Sequence, residues 1–242
     1  MKMKKICAEA AVYLMIIGVF VAIALLGNRA ITVIAEKLPA DRKHTIIIDA
    51  GHGGEDGGAT SCTGRLESGF NLEIAQRLDD LLHLLGYRTK MIRTTDSSVY
   101  THGSTIAEKK VSDLKQRVSI VNSTPGALLV SIHQNTFSDG RYSGAQVFYD
   151  GRGEGRALAE QMQAAFCRTV NPGSNRKCKK ANGVFLMERI ECLGILVECG
   201  FLSNREEEAK LQSVQYQQKL CCVIASTLTE FLTGQDDLAI ME

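Results

Sequence analysis

The sequence predicts an α/β fold: one domain built on a mostly parallel sheet flanked by helices, behind an N-terminal transmembrane helix. Three observations point to it. Short apolar runs rich in β-branched residues alternate with stretches of helical spacing, the pattern of a parallel sheet covered on both faces. The chain of 242 residues, 45% apolar with three prolines, is long enough for one well-buried domain and too short for two ordinary ones. An uncharged apolar run from about Ala10 to Leu26 follows Lys2, Lys4 and Lys5 at the N-terminus, which reads as a membrane anchor with its basic flank in the cytoplasm. The formal charge is +1, from 28 Lys and Arg against 27 Asp and Glu, so no bulk field draws the protein to nucleic acid.

The chain divides into an anchor (residues 1–27), a polar linker (28–43), a catalytic domain (44–234) and an acidic tail (235–242) expected to be loose. A signal peptide cut after Val33-Ile34-Ala35 is the alternative to an uncleaved anchor. Either places the domain outside the cytoplasmic membrane. Within the domain, Thr45 to Asp49 reads as a buried strand feeding the glycine-dense loop Ala50-Gly-His-Gly-Gly-Glu-Asp-Gly-Gly58. Phe70, Ile74, Leu78, Leu81, Leu82 and Leu85 then recur at helical spacing, with Gly86 as the stop. Tyr87 to Ile92 is a second strand, and Ser112-Asp113 caps a helix bearing Leu114, Val118 and Val121.

Ala127 to Ile132 and Ala145 to Tyr149 read as further strands, with a helix from about Gly155 to Thr169 and a basic loop from Asn171 to Lys180 behind them. Val184 to Met187 and Gly194 to Cys199 read as the last two strands. Ser203-Asn-Arg-Glu206 resembles a capping box, and Val214 to Leu232 forms the final helix. Of eight cysteines, Cys7 falls in the anchor and seven remain. An odd number cannot all pair, no CxxC occurs, and most read as small buried hydrophobes.

A catalytic zinc takes three nitrogen or oxygen ligands and leaves a position open. His52 lies between glycines directly after the first strand, His133 ends the third, and Glu67 opens the first helix near the same carboxyl edge, where ligands bind in such folds. Glu198 ends an otherwise apolar strand, where a carboxylate is costly unless used, and is a candidate base. Taken singly, each has a plainer reading as a satisfied polar residue or a helix-dipole partner. Their joint placement on one edge favours a site.

Six ordered blocks between Thr45 and Leu232 sharpen this: Ile48-Asp-Ala-Gly-His-Gly-Gly54, Glu67, Ile92-Arg-Thr-Thr-Asp96, Leu114-Lys-Gln-Arg-Val118, Ser131-Ile-His-Gln-Asn135 and Val197-Glu-Cys-Gly-Phe-Leu-Ser-Asn204. Together they resemble the zinc-dependent N-acetylmuramoyl-L-alanine amidases of the amidase-3 type. The resemblance implies a six-stranded sheet, Zn2+ on His52, Glu67 and His133, and Glu198 as the catalytic carboxylate. Its implied reaction is hydrolysis of the bond between N-acetylmuramic acid and L-alanine in peptidoglycan, with glycan strands and stem peptides as partners. Gln134 and Cys199 stand where many relatives carry Ala and Thr, and neither change removes a ligand. Val99-Tyr-Thr-His-Gly103 and Lys109 to Lys115 are most similar to the sporulation- and germination-related branch, which implies a part in spore-cortex maturation and muramic δ-lactam formation.

Substrate-binding residues stay unassigned. Asp49 or Arg93 is expected to orient the ligands. His44, His83 and His102 match no metal block. The basic Arg176-Lys-Cys-Lys-Lys180 reads as a solvated loop, with contact to stem-peptide carboxylates as the sharper reading. Rival functions are a carboxypeptidase-like zinc hydrolase acting on peptides and a catalytically inactive wall-binding scaffold.

Overall fold

The computed structural model describes residues 43–240, with side chains as far as Gly234. The expected anchor and nearly all of the expected linker lie outside the described residues. No helix among the described residues is long and apolar enough to cross a membrane.

Strand β1 (Thr45–Ala50) lies second from one edge of a six-stranded sheet with β2 (Arg88–Met91), β3 (Ala127–Asn135), β4 (Gln146–Tyr149), β5 (Lys179–Lys180) and β6 (Leu193–Phe201), in the order β2-β1-β3-β6-β4-β5, with β3 and β6 at the sheet's centre. β2, β1, β3 and β6 run parallel, while β4 pairs antiparallel with β6 and carries β5 parallel to itself. The continuous apolar run of β1 follows from burial on both faces. Ile46 and Ile48 join one core cluster, whereas Ile47 joins the other.

Helices α1 (Glu67–Leu84), α3 (Gly153–Thr169) and α6 (Val214–Ile240) cover the first face. On α1 the fully buried residues Phe70, Ile74, Leu78 and Leu82 are spaced by four, so one stripe faces the sheet. Each contributes roughly 2 kcal/mol by leaving water. Helices α2 (Ile106–Asn122) and α4 (Phe185–Arg189) cover the second face with Val121, Leu186, Met187 and Ile190. A short α5 (Arg205–Leu211) precedes α6.

Four expectations change. Val184–Met187 is not a strand: Phe185–Arg189 forms a helical turn whose Leu186 and Met187 plug the second cluster, and the edge position goes to Lys179–Lys180. The helix expected to start at Ser112 begins at Ile106, capped by Thr105, whose side chain accepts from the Glu108 amide while Glu108 bonds back. α5 is capped by Asn204, which accepts from the amides of Glu206 and Glu207, and not by Ser203. The last helix continues past Gly234 to Ile240, where a loose tail was expected. All seven cysteines of the described residues are free.

Candidate active site

The parallel strands deliver their ends to one edge. Ala50 ends β1, His133 and Glu198 are register partners on β3 and β6, and Gln146 of β4 is the partner of Glu198 from the other side. A register shift between His133 and Asn135 disturbs the ladder at this point.

His52 leaves β1 with φ 61°, the left-handed region, and is the one non-glycine residue with positive φ among the described residues. Such a conformation in a strained loop is typical of functional sites. The next two residues, Gly53 and Gly54, also have positive φ, so the loop doubles back at once. Two further glycines are required by contact. A Cβ on Gly51 would collide with the imidazole of His133, and one on Gly58 would lie 2.6 Å from Glu67 Oε2 and 2.7 Å from His52 Cδ2.

This cradle brings the three expected residues together. Ligand atoms of His52, Glu67 and His133 all lie within 4.8 Å of one another. His133 Nδ1 is 3.0 Å from Glu67 Oε1, and His52 Nε2 is 3.3 Å from Glu67 Oε2. The rings of His52 and His133 meet edge to face, with centroids 5.0 Å apart. Two imidazoles and one carboxylate fit a zinc that keeps a position open. Glu198 stands outside this group, one strand over from His133, with Oε2 buried and unpartnered.

Residues 46–230 match the Amidase_3 family, N-acetylmuramoyl-L-alanine amidase. The chain belongs to this family. It is similar to the germination-specific N-acetylmuramoyl-L-alanine amidase of Bacillus subtilis strain 168, 35% identical over 195 residues, which covers 79% of this chain and 81% of that one. Among solved structures it resembles the CwlD amidase of Clostridioides difficile in complex with the GerS lipoprotein. There the identity is 34% and the TM-score 0.75, over 78% of this chain and 98% of that one. An N-acetylmuramoyl-L-alanine amidase of Clostridium difficile 630 matches at 29% identity and TM-score 0.68, over 80% and 98% of the two chains.

The amidase surrounds its Glu67 with donors. Oε1 accepts from Asn71 Nδ2 at 3.2 Å and from the Gln134 amide at 3.1 Å, and Oε2 accepts from the Ala59 amide at 3.0 Å. Burial pushes this carboxylate up, but the hydrogen bonds and charges of His133 and His52 outweigh it and hold Glu67 far below the usual range. Glu198 goes the other way. Burial pushes it up to about 7, with Glu67 adding repulsion and His133 and His52 opposing. Two carboxylates on one edge are thus split into a permanent anion and a group that exchanges its proton near neutrality.

The supporting residues of the amidase differ from the two expected. Arg93 and Asp49 touch no ligand side chain. Arg93 donates to the carbonyls of Ala50, Gly51 and Ser68, at 2.8, 3.0 and 2.9 Å. Asp49 pairs with Arg117 Nη1 at 2.5 Å and accepts from Ser131 at 2.6 Å, and Arg117 in turn donates to His52 O at 2.7 Å. These groups fix the loop backbone. The group that touches the His/Glu/His cluster is Asp56, with Oδ2 3.1 Å from His52 Nδ1 and 3.2 Å from Lys110 Nζ. Arg117 was detectable in the sequence, since it shares a helix face with Leu114, Val118 and Val121. His83 and His102 are exposed and are not members of the group.

Proposed function

We propose that this amidase holds one zinc ion through His52, Glu67 and His133, and that Glu198 carries the protons of the cleavage. The observation that supports this most is the split between the two carboxylates: Glu67 is saturated with donors inside the His/Glu/His group, while Glu198 faces the same edge with a buried, unpartnered oxygen. Bound zinc supplies Lewis acidity toward the lactyl carbonyl and the attacking water. As a carboxylate, Glu198 takes one proton from that water as its oxygen bonds to the carbonyl carbon. It returns the proton to the nitrogen of L-alanine as the C–N bond breaks. The products are a lactyl carboxylate on the glycan and a stem peptide with a free amine. Asp56 on Nδ1 of His52 directs the other ring nitrogen toward Glu67.

The likeness to a germination-specific amidase supports spore-cortex peptidoglycan as the substrate, where stripping the peptide from muramic acid frees the carboxylate that δ-lactam formation needs. The basic flank and apolar run of residues 1–27 support a single-pass anchor with the domain outside the cytoplasmic membrane. The lipoprotein bound to the Clostridioides relative is in keeping with a membrane-proximal partner.

Two measurements test the reading. Purified cortex glycan digested with the protein should yield peptide-free muramic acid and new L-alanine amines by mass spectrometry. Metal analysis should find one zinc per chain, lost in a His52→Ala, His133→Ala double variant. Glycan returned intact, or wild-type zinc in the double variant, would refute it.

A further inference from the structure

The row of side chains that carries Glu198 continues across the sheet. His133, Glu198 and Gln146 are register partners on β3, β6 and β4, so they share one face at intervals of roughly 5 Å. Beyond Gln146 the row ends on Arg176, from the basic loop between α3 and β5. Arg176 Nη1 donates to Gln146 Oε1 at 3.3 Å and Nε to the carbonyl of Ser143 at 3.0 Å. Its guanidinium carbon lies 5.0 Å from the centroid of Phe201, three residues beyond Glu198. Tyr142 leans on Phe201 at 6.1 Å, and Phe137 meets Tyr142 edge-on at 4.7 Å, so the stack ends in an exposed aromatic shelf.

Arg176 is half-buried and oriented by a ring and two neutral oxygens, yet it forms no ion pair among the described residues. Nearby Glu207 is already engaged, its Oε2 accepting from the amides of Gly144 at 2.7 Å and Phe201 at 3.1 Å. A held guanidinium whose Nη2 makes no hydrogen bond among the described residues, and which has no ion-pair partner there, is suited to an anion arriving from outside. One strand spacing to Gln146 and a hydrogen bond beyond it place this fork roughly 8 Å from Glu198, the reach of two or three extended residues.

We propose that Arg176, oriented by Phe201 and Gln146, binds a carboxylate of the departing stem peptide on the residue that follows L-alanine. Arg176 is then a specificity residue, and the proposal rests on Glu198 marking the scissile bond. Pinning of the 171–178 loop is the purely structural alternative, and it makes no distinction between a carboxylate and its amide.

The test uses two peptides that begin with L-alanine and differ only in the next residue, which carries a free α-carboxylate in one and its amide in the other. Calorimetry with the full-length protein in detergent reads binding without cleavage. The wild type should bind the carboxylate peptide about tenfold or more tightly than the amide. Arg176→Gln should erase that preference while leaving the amide peptide unchanged, and Arg176→Lys, which keeps charge but loses the fork, should retain part of it. With muropeptides that carry the same pair, Arg176→Gln should raise KM for the carboxylate form and leave kcat within about twofold. Equal wild-type affinity for both peptides overturns the proposal, as does an equal loss for both in Arg176→Gln. A wild type that shows the Arg176-dependent preference but cleaves neither muropeptide would remove the proposed hydrolysis, and with it the departing peptide and the role of Arg176 as a specificity residue for cleavage, leaving only a carboxylate-binding site.

Discussion

Glu198 is the one charged residue of a strand that continues past it to Phe201, beyond the end expected from the sequence, and its value of about 7 is set first by burial. Glu198→Gln keeps the shape but accepts no proton, so cleavage of muramoyl–L-alanine bonds should fall by ~10² or more with zinc content unchanged. Zinc loss would make Glu198 a ligand, and full activity would displace it as the base. Burial also has a consequence for stability. The folded value lies above the 4.5 of a free glutamate, so stability present below about pH 4.5 is lost as pH rises toward 7. Glutamine carries no such penalty. Chelator-treated Glu198→Gln should therefore be more stable than chelator-treated wild type at pH 8, by at most about 3 kcal/mol, and nearly equal to it at pH 4.5. Matching denaturation midpoints at pH 8 would mean that the carboxylate is solvated. For Asp56→Ala the expected outcome is about 10–100-fold weaker zinc binding in a metal-buffer titration with the fold intact, since the exposed contacts to Lys110 and the Gly58 amide are lost along with the orientation of His52. Unchanged affinity would mean that the Asp56 carboxylate does not orient the His52 ring.

The glycine loop shows what a whole element adds. Arg93 and Arg117 hold its carbonyls from two directions, and Gly51 and Gly58 leave the room that His133, His52 and Glu67 occupy. Gly58→Ala puts a methyl among the ligands at φ 70°, whereas Gly64→Ala, at φ 89°, meets nothing within 4 Å. Both pay the backbone penalty of roughly 1 kcal/mol, but Gly58→Ala alone should also lose tightly bound zinc. Metal analysis of the two variants decides this, and equal zinc in both would mean that the cradle yields. How much of this was legible follows the same division. β1, β3 and β6 were readable because burial on both faces leaves continuous apolar runs, and their polar ends named His52, His133 and Glu198. Asp56 and Asn71 were not readable as supports. One reaches its ligand only because His52 turns left-handed, the other only because a helical turn brings it back beneath Glu67. Val184 to Met187 misled because a four-residue apolar run has no period, and the true edge strand, Lys179–Lys180, is exposed and carries no apolar signal. The Thr105–Glu108 box is present in the sequence beside a competing cap signal at Ser112, whose hydroxyl instead accepts from the amides of Thr101 and His102.

At the scale of the whole molecule, everything that builds the site lies between residues 43 and 234. The open sheet begins at Thr45, whose amide donates to Gly126 O, and both faces are covered by helices from within that span. The family match, 46–230, has nearly the same limits. A protein beginning at Lys43 should therefore fold cooperatively, remain soluble without detergent and cleave soluble muropeptides with kcat/KM within about twofold of the full chain, because the described core is filled by side chains from residues 46–232. On the proposed reading of residues 1–27 as an anchor, three lysines on one side of roughly 17 uncharged residues would orient the segment in a bilayer with the lysines in the cytoplasm. Full-length protein should accordingly sediment with membranes, come off with detergent but not with salt or alkali, and retain Met1 or Lys2 on N-terminal sequencing. A mature form beginning near Glu36 would make the segment a cleaved signal. Failure of the Lys43 form to fold would mean that the first 42 residues complete a core that the sheet and its helices otherwise close without them.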